Sequence, residues 1–204
     1  MIIWFSGTGN SEWVAEQLAS ALGERMVSVA EALTAGGDIH LTLHDGERLG
    51  FVFPTYSWGP PPVVTEFVEK MQITGTPSSC FMVTTCGDDI GLSVPIMAKA
   101  LSRRGFTLLS AHSVQMPNNY INMKGFDVDS DAVRTAKLKA APARVAQVAQ
   151  DIAARKAVVD VVTGRFAWVK SKVIRPWFLK NAMSDKKFVV DTEACTHCGA
   201  CVKN

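Results

Sequence analysis

The sequence predicts an α/β protein built on a doubly wound, five-stranded parallel sheet with helices on both faces. Over residues 1–156, short continuous apolar runs alternate with helical segments, as expected for strands that are buried on both sides. Three of the turns that follow these strands are rich in Gly, Ser, Thr or Pro, and ligands bind at that edge of an open parallel sheet. With 48% hydrophobic and 20% charged residues, the chain has enough apolar side chains to fill a core.

Five segments are predicted as strands. Four are apolar runs bounded by turn residues, namely MIIWF at 1–5, RLGFVFP at 48–54, SSCFMVTTCG at 78–87 and FTLLSAHSVQMP at 106–117. The fifth, RMVSVAEAL at 25–33, is a weaker strand signal that is followed by irregular polar chain.

Four helices are predicted to connect and cover these strands. The first begins at Ser11, after which apolar residues recur at steps of three and four. The next two cover 63–71, which prolines precede, and 91–105. The last covers the Ala-rich segment 130–155, and we expect Pro142 to kink or split it.

Charge and hydropathy exclude several classes of protein. The formal net charge of +2 lacks the strong basic excess of a nucleic-acid-binding domain. The N-terminus has no signal-peptide pattern, and no apolar run approaches the roughly 18 residues of a membrane span. We therefore expect a soluble cytoplasmic protein without a transmembrane segment. In a reducing compartment, clustered cysteines favour metal binding over disulfides.

A glycine-rich loop leaves the first strand and opens the first helix. Its residues are Ser6, Gly7, Thr8, Gly9, Asn10 and Ser11. Backbone N–H groups, the helix dipole and hydroxyls at such a turn suit a phosphate. The dinucleotide-binding fingerprint would need a glycine where Glu12 stands, and a P-loop would need a lysine, which this loop lacks. The ligand still compatible with this loop is a monophosphate dianion that is bound without a cationic side chain. The alternative is a tight strand-to-helix turn that binds no ligand.

The loop SGTGNS resembles the FMN-phosphate loop of flavodoxins, which follows the pattern Ser/Thr-x-Thr-Gly-Asn-Ser/Thr. Two later loops, PTYSWGPP and TTCGDDIG, are similar to the loops that cover the two sides of the flavin ring in that family. The resemblance implies FMN as the cofactor and a sheet of strand order 2-1-3-4-5. The further flavin contacts that it implies are Pro54, Thr55, Tyr56, Ser57, Trp58, Gly59, Thr85, Cys86, Gly87 and Asp88.

Within these loops some assignments stay open. Either Tyr56 or Trp58 can supply the aromatic face for stacking, and we rank Trp58 slightly ahead. Cys86 is either a redox thiol or a small buried filler, and we favour the filler. Asp88 and Asp89 either disfavour an anionic reduced flavin or cap the following helix.

The loop MPNNY, which contains Asn119 and Tyr120, resembles a loop of a flavodoxin–ferredoxin fusion family, the EFR1-type ferredoxins. This resemblance spans the whole chain and implies that Asn119 and Tyr120 contact the flavin. It also implies three parts: a flavodoxin-like FMN-binding domain at 1–156, a basic aromatic connector at 157–187, and the start of a 4Fe-4S ferredoxin domain at 188–204.

Three cysteines stand near the C-terminus, at Cys195, Cys198 and Cys201. Their two-residue gaps match the first three members of the bacterial ferredoxin run Cys-x2-Cys-x2-Cys-x3-Cys-Pro. A zinc site that uses His197 is the competing interpretation. His197 stands between Cys195 and Cys198, and the backbone could hardly point all three side chains toward one ion. The fourth cysteine would fall beyond Asn204, so we expect the chain as given to be cut within the motif and unable to assemble a normal [4Fe–4S] centre.

The connector combines cations with aromatic residues. After residue 160 it contains Arg165, Lys170, Lys172, Arg175, Lys180, Lys186 and Lys187, with Trp168, Trp177 and Phe178 between them and Asp185 as the one acid. One interpretation is a surface at 165–187 that contacts an acidic partner or a membrane. The other, which we favour, is a linker whose aromatic residues pack on the first domain while its lysines stay in water.

Together these features predict an electron-transfer flavoprotein that passes electrons between iron–sulfur clusters and FMN. Its partners would be a ferredoxin or an iron–sulfur oxidoreductase, and FMN would convert between one- and two-electron carriers. Two alternatives remain: an FMN-dependent NAD(P)H:quinone or nitro reductase, and a redox-sensing or docking module that uses the basic connector. No histidine has a convincing catalytic partner in the sequence, so no catalytic residue is predicted.

Overall fold

A computed structural model describes residues 1–121, 128–183 and 189–200, and its centre is a parallel six-stranded sheet. Its strands are β1 (Ile2–Trp4), β2 (Met26–Ser28), β4 (Leu49–Pro54), β6 (Cys80–Cys86), β7 (Ser110–Gln115) and β8 (Val159–Asp160). They lie in the spatial order β2-β1-β4-β6-β7-β8, and every neighbouring pair is parallel. Counted along the chain, the first five give 2-1-3-4-5, the flavodoxin-like order that the sequence predicts.

Five helices cover the two faces of this sheet. They are α1 (Asn10–Leu22), α2 (Val29–Thr34), α3 (Pro62–Lys70), α4 (Ser93–Arg103) and α5 (Asp131–Ala153). One face packs against α1 and α5, whose buried side chains include Val14 and Val148. The other packs against α2, α3 and α4, with Phe67 of α3 at its centre. The doubly wound architecture is therefore confirmed.

The strands read as continuous apolar runs because consecutive side chains enter different cores. Ile2 packs on the α1 and α5 side, whereas Ile3 packs on the other side. Phe51 and Phe53 likewise flank Val52, which points to the opposite face. Each fully buried aliphatic or aromatic side chain of this kind stabilises the fold by roughly 1.5–3 kcal/mol.

The strand predicted at 25–33 is correct only for its first part. β2 ends at Ser28, and α2 begins at Val29. The Ser28 hydroxyl accepts a hydrogen bond from the Glu31 N–H at 3.3 Å, so it caps the helix. The Ala, Glu and Leu residues that follow favour a helix over a strand.

Three short strands lie outside the sequence predictions. β3 (His40–Thr42) and β5 (Gln72–Thr74) form a separate two-stranded parallel sheet. β8 pairs with β7 and extends the main sheet by one strand. Consequently the first residues of the predicted connector contribute to the sheet.

The helix α5 passes through Pro142 without being split. It runs from Asp131 to Ala153 as one element, with Pro142 on an exposed side between buried Ala141 and Val145. The proline removes one backbone donor, and the packing of the helix against the sheet offsets that loss.

After β8, the chain forms a helical segment over 167–181. It consists of α6 (Ala167–Val169), a π-helical turn (Lys170–Ile174) and α7 (Arg175–Asn181). Among the residues that the structure describes, none of the helices combines the length and apolar character needed to span a membrane.

Candidate functional site

The glycine loop lies at the carboxyl end of β1 and forms the N-terminus of α1. Gly9 occupies the N-cap position with φ of 91°, and no side chain caps the helix there. The N–H of Gly9 instead donates to the Ser6 hydroxyl at 3.0 Å. Because the first N–H groups of a helix have no acceptor within it, they remain available to an anion at this end. The Thr8 side chain is exposed beside them.

Hydrogen bonds join this loop to two others at the same edge of the sheet. The Ser11 hydroxyl is 2.7 Å from that of Thr85, in a buried pair at the end of β6. The Asn10 amide donates to the Pro117 carbonyl at 3.1 Å, and the Asn119 amide donates to the Thr8 hydroxyl. Loops that are far apart in sequence thus meet where the sequence predicts ligand contacts.

The Tyr56 side chain lies directly over the glycine loop. A Cβ atom added at Gly7 would be 2.5 Å from the Tyr56 hydroxyl, so a larger residue there would displace the Tyr56 ring. The Tyr56 ring also meets Phe5 edge-on, with centroids 6.3 Å apart. Burial raises the pKa of Tyr56, which keeps the hydroxyl protonated as a hydrogen-bond donor.

Trp58 takes a different position from Tyr56. Its ring lies beneath the Lys170 ammonium, 5.4 Å from the ring centroid. Ser57 and Trp58 have φ of 47° and 58°, a left-handed conformation that non-glycine residues seldom adopt. This turn therefore separates the two aromatic side chains: Tyr56 faces the glycine loop and Trp58 faces the helical segment 167–181.

Arg175 holds the 56–60 loop in this conformation. Its guanidinium, only 7% exposed, donates to the carbonyls of Tyr56 and Pro60, and to that of Ser57 at 3.4 Å. A Cβ atom at Gly59 would lie 2.6 Å from the guanidinium, which explains glycine there. Burial lowers the pKa of Arg175 to about 10, so the group stays charged at neutral pH.

Ser171 makes a second attachment between the helical segment and the loops. Its hydroxyl donates to the Trp58 carbonyl at 2.8 Å and accepts from the Leu92 N–H at 2.8 Å. A buried arginine and a buried serine therefore attach this segment to the domain through hydrogen bonds. The residue types alone do not distinguish these two from the exposed polar residues around them.

The expectation that the connector's aromatic residues pack on the first domain is wrong for both tryptophans. Trp168 is 64% exposed and Trp177 is 60% exposed. Phe178 is half-buried and meets the Tyr120 ring edge-on at 6.3 Å. The lysines of the connector were expected to be solvated, but Lys170 forms an ion pair with Asp89 of the domain at 2.6 Å.

Around the end of β6, Cys86 is buried and chemically quiet. Burial, with Asp89 and Asp88 nearby, raises the pKa of the Cys86 thiol to about 12. The thiol is therefore protonated at neutral pH, which agrees with the role of Cys86 as a small side chain that packs in the core. The Asp89 charge is offset by its ion pair with Lys170. Gly87 lies close to Asn118, and a Cβ atom added at Gly87 would be 3.1 Å from the Asn118 Cβ.

The C-terminal thiols lie apart from these loops along the chain. Cys195 and Cys198 are free and exposed, and the Cys195 sulfur is 4.0 Å from Nδ1 of His197. Cys201 lies outside the described residues. A hydrogen bond from the Ala200 backbone, with one from the Thr196 side chain, lowers the pKa of Cys198. Accessible thiols of this kind are suitable ligands for a metal or cluster.

A second group of titratable residues lies within the fold. His112 on β7, Asp151 on α5 and Asp160 on β8 place their ligand atoms within 4.8 Å of one another. Both carboxylates already have cationic partners, Lys156 for Asp151 and Arg144 for Asp160. Burial lowers the pKa of His112, so its imidazole is neutral. This balanced cluster lies away from the loops at the ligand edge.

The residues at the loop edge suit an anionic group such as a phosphate ester. The N-terminus of α1 is uncapped, hydroxyl groups surround it, and the Tyr56 hydroxyl packs closely against Gly7. A cavity of about 170 Å³ opens beside Gly9 and Asn10, between α1 and α5. Its other walls are Trp13, Met116, Leu138 and Ala141, which are largely apolar, so a phosphate would take its hydrogen bonds from the glycine loop and not from this cavity.

The strand order, the helices on both faces and the ligand edge define a flavodoxin-like α/β fold. No family model and no curated protein sequence matches the chain. A flavodoxin of Streptococcus pneumonia TIGR4 is similar in structure, with 17% identity and a TM-score of 0.41 over 76% of this chain and 97% of that chain. The Trp repressor binding protein of Bacillus subtilis is similar at 12% identity and a TM-score of 0.39, over 70% of this chain and 95% of that chain. The fold assignment rests on the strand order of the sheet and on the helices that cover its two faces.

Proposed function

We propose that this protein binds FMN at the carboxyl edge of its sheet and acts as an electron-transfer flavoprotein. The observation that carries the proposal is the uncapped N-terminus of α1, over whose glycine loop the Tyr56 hydroxyl is packed. The helices α3 and α4 also begin without a side-chain cap, so the contact of Tyr56 with the glycine loop is what distinguishes α1. The loops around 85–88 and 117–120 are hydrogen-bonded to this glycine loop and its helix.

In this proposal the glycine loop binds the phosphate through N–H groups and hydroxyls alone. Because no lysine is present in the loop, the helix dipole supplies the favourable electrostatics. Tyr56 forms one wall of the ring site, which changes our sequence-based preference for Trp58 because Trp58 is engaged with Lys170. When bound, FMN supplies chemistry that accepts one or two electrons.

Paired titrations with FMN and riboflavin test this proposal. We expect FMN to bind at one per chain and riboflavin to bind at least about tenfold more weakly, because it lacks the phosphate that the loop holds. Quenching of flavin fluorescence measures both affinities. A folded protein that leaves FMN fluorescence unchanged would contradict the proposal, and equal affinity for the two flavins would contradict the role of the loop.

We further propose that Cys195, Cys198 and Cys201 supply three thiolates to an iron–sulfur cluster that exchanges electrons with the flavin. The exposure of Cys195 and Cys198 and the ferredoxin-like spacing of all three support this assignment. Positive φ values of 52° at His197 and 71° at Gly199 curve the backbone between them.

Anaerobic reconstitution with ferrous iron and sulfide tests the cysteine assignment. We expect the protein to retain bound iron and sulfide, since the three thiolates of the motif ligate the cluster. Iron and sulfide assays after gel filtration measure retention. The control is the triple variant Cys195→Ser, Cys198→Ser and Cys201→Ser, and equal iron content in the two proteins would refute the assignment.

A further inference from the structure

The helical segment 167–181 has an inner face that is fastened to the domain and an outer face that is open. Arg175 and Ser171 are buried on the inner side and bind the 56–60 loop. The outer face is apolar and aromatic. Its exposed side chains are Phe166 (70%), Trp168 (64%), Val169 (43%), Val173 (54%) and Trp177 (60%). Several exposed apolar and aromatic side chains on one anchored segment indicate an interaction site.

The same surface is basic. Residues 161–184 contain no Asp or Glu, and the cations among them are Arg165, Lys170, Lys172, Arg175 and Lys180. Lys170 and Arg175 are engaged with the domain, whereas Lys172 and Lys180 are exposed and have no ion-pair partner among the described residues. The outer face therefore presents lysines at the edge of an apolar centre, an arrangement that favours an acidic partner.

The position of this surface connects it with the proposed flavin site. Its inner side holds the backbone of Tyr56, the residue that lies over the glycine loop. Phe178 meets Tyr120, a neighbour of the Asn119 amide that donates to Thr8. A protein seated on the outer face would therefore be separated from the loops that enclose the ring site by the width of one helix, about 10 Å.

We propose that this outer face is the docking surface for an acidic iron–sulfur electron-transfer protein. The inference rests on the proposed FMN-binding function and names the kind of partner with which that site would exchange electrons. In each encounter one electron leaves the reduced cluster of the partner and enters the flavin, so the partner is oxidised and the flavin is reduced by one electron. A lipid surface is the competing occupant, but it would not account for attachment to the flavin loops.

The aromatic and charged residues have separate roles in this docking. Burial of Trp168 and Trp177 supplies affinity, because large aromatic side chains dominate interface energetics. Lys172 and Lys180 guide association and orientation, so their contribution decreases when salt shortens the Debye length. The interaction should therefore be tightest at low ionic strength.

Charge reversal on the outer face tests the proposal. The variant is Lys172→Glu with Lys180→Glu, and the control is Lys99→Glu with Arg155→Glu, which makes the same change in net charge at exposed positions outside the segment. The probe is an acidic two-cluster bacterial ferredoxin, titrated calorimetrically against apoprotein and FMN-loaded protein. We expect the outer-face variant to bind at least about tenfold more weakly at low salt than wild type and control, and this difference to shrink in high salt.

Several results would overturn the docking proposal. Wild type that does not bind the ferredoxin, or that binds no better than the outer-face variant, contradicts it. Binding to vesicles of anionic phospholipid with no binding to the ferredoxin assigns the surface to a membrane instead. If FMN fails to bind while the apoprotein still binds the ferredoxin through these lysines, the docking surface stands and the proposed flavin function falls. A Trp168→Ser and Trp177→Ser variant that keeps full affinity would refute the aromatic contribution.

Discussion

A Thr8→Glu variant is expected to lose at least about 100-fold in FMN affinity, the largest effect that the glycine loop predicts. Thr8 is exposed, and the Asn119 amide that donates to its hydroxyl can donate to the new carboxylate instead. The new carboxylate would stand beside a phosphate dianion, and the loop has no lysine to offset the repulsion. Two unit charges 4 Å apart near a protein surface interact by about 4 kcal/mol, and a loss of about 2.7 kcal/mol corresponds to 100-fold. Quenching of flavin fluorescence measures the affinity.

The control for this experiment adds the same charge to the other end of the same helix. Ser20 is exposed near the C-terminus of α1, so Ser20→Glu should leave FMN affinity within about threefold of wild type. Riboflavin affinity should be similar in all three proteins, because riboflavin carries no phosphate. A Thr8→Glu protein that binds FMN as tightly as Ser20→Glu would show that the phosphate binds elsewhere.

An Arg175→Met variant is expected to weaken FMN binding at least about tenfold and to lower the free energy of unfolding by about 2–4 kcal/mol. The buried guanidinium donates to three carbonyl groups of the 56–60 loop, and methionine would leave these acceptors without their donor. Each charge-assisted hydrogen bond contributes about 1.5–3 kcal/mol, and partial relaxation of the loop reduces the sum. Urea denaturation measures the stability, and flavin titration measures the affinity.

Arg165 offers a matched control for Arg175. It belongs to the same basic segment but is exposed, and its guanidinium carbon lies 5.6 Å from the ring centroid of its neighbour Phe166. Arg165→Met should therefore change the free energy of unfolding by no more than about 0.5 kcal/mol. Equal stability losses in the two variants would mean that Arg175 acts as a general surface charge and not as the clamp of the 56–60 loop.

Much of the fold could be predicted because its signals are local. The runs around Phe51 and Met82 are apolar on consecutive residues because both faces of the sheet are covered. β8 gave no such signal, since both of its residues are exposed and its pairing with β7 depends on residues far away in sequence. The capping role of Ser28 was likewise local but was obscured by the apolar residues around it.

The candidate site could be predicted in part for the same reason. The glycine loop has a short local pattern, and Gly7 is explained by the Tyr56 hydroxyl that lies over it. The different positions of Tyr56 and Trp58 could not be predicted from the sequence, because the contact of Lys170 with Trp58 joins residues far apart along the chain. In the sequence, Arg175 looks like the other cations of the connector, because its burial arises from tertiary contacts.

The most direct measurement of the central claim is a crystal structure of the protein with FMN. We predict that the phosphate oxygens lie about 2.7–3.2 Å from backbone N–H groups of residues 7–12 and that the flavin ring contacts Tyr56. A phosphate bound outside the glycine loop, or a flavin ring away from the 54–59 and 85–88 loops, would contradict the account.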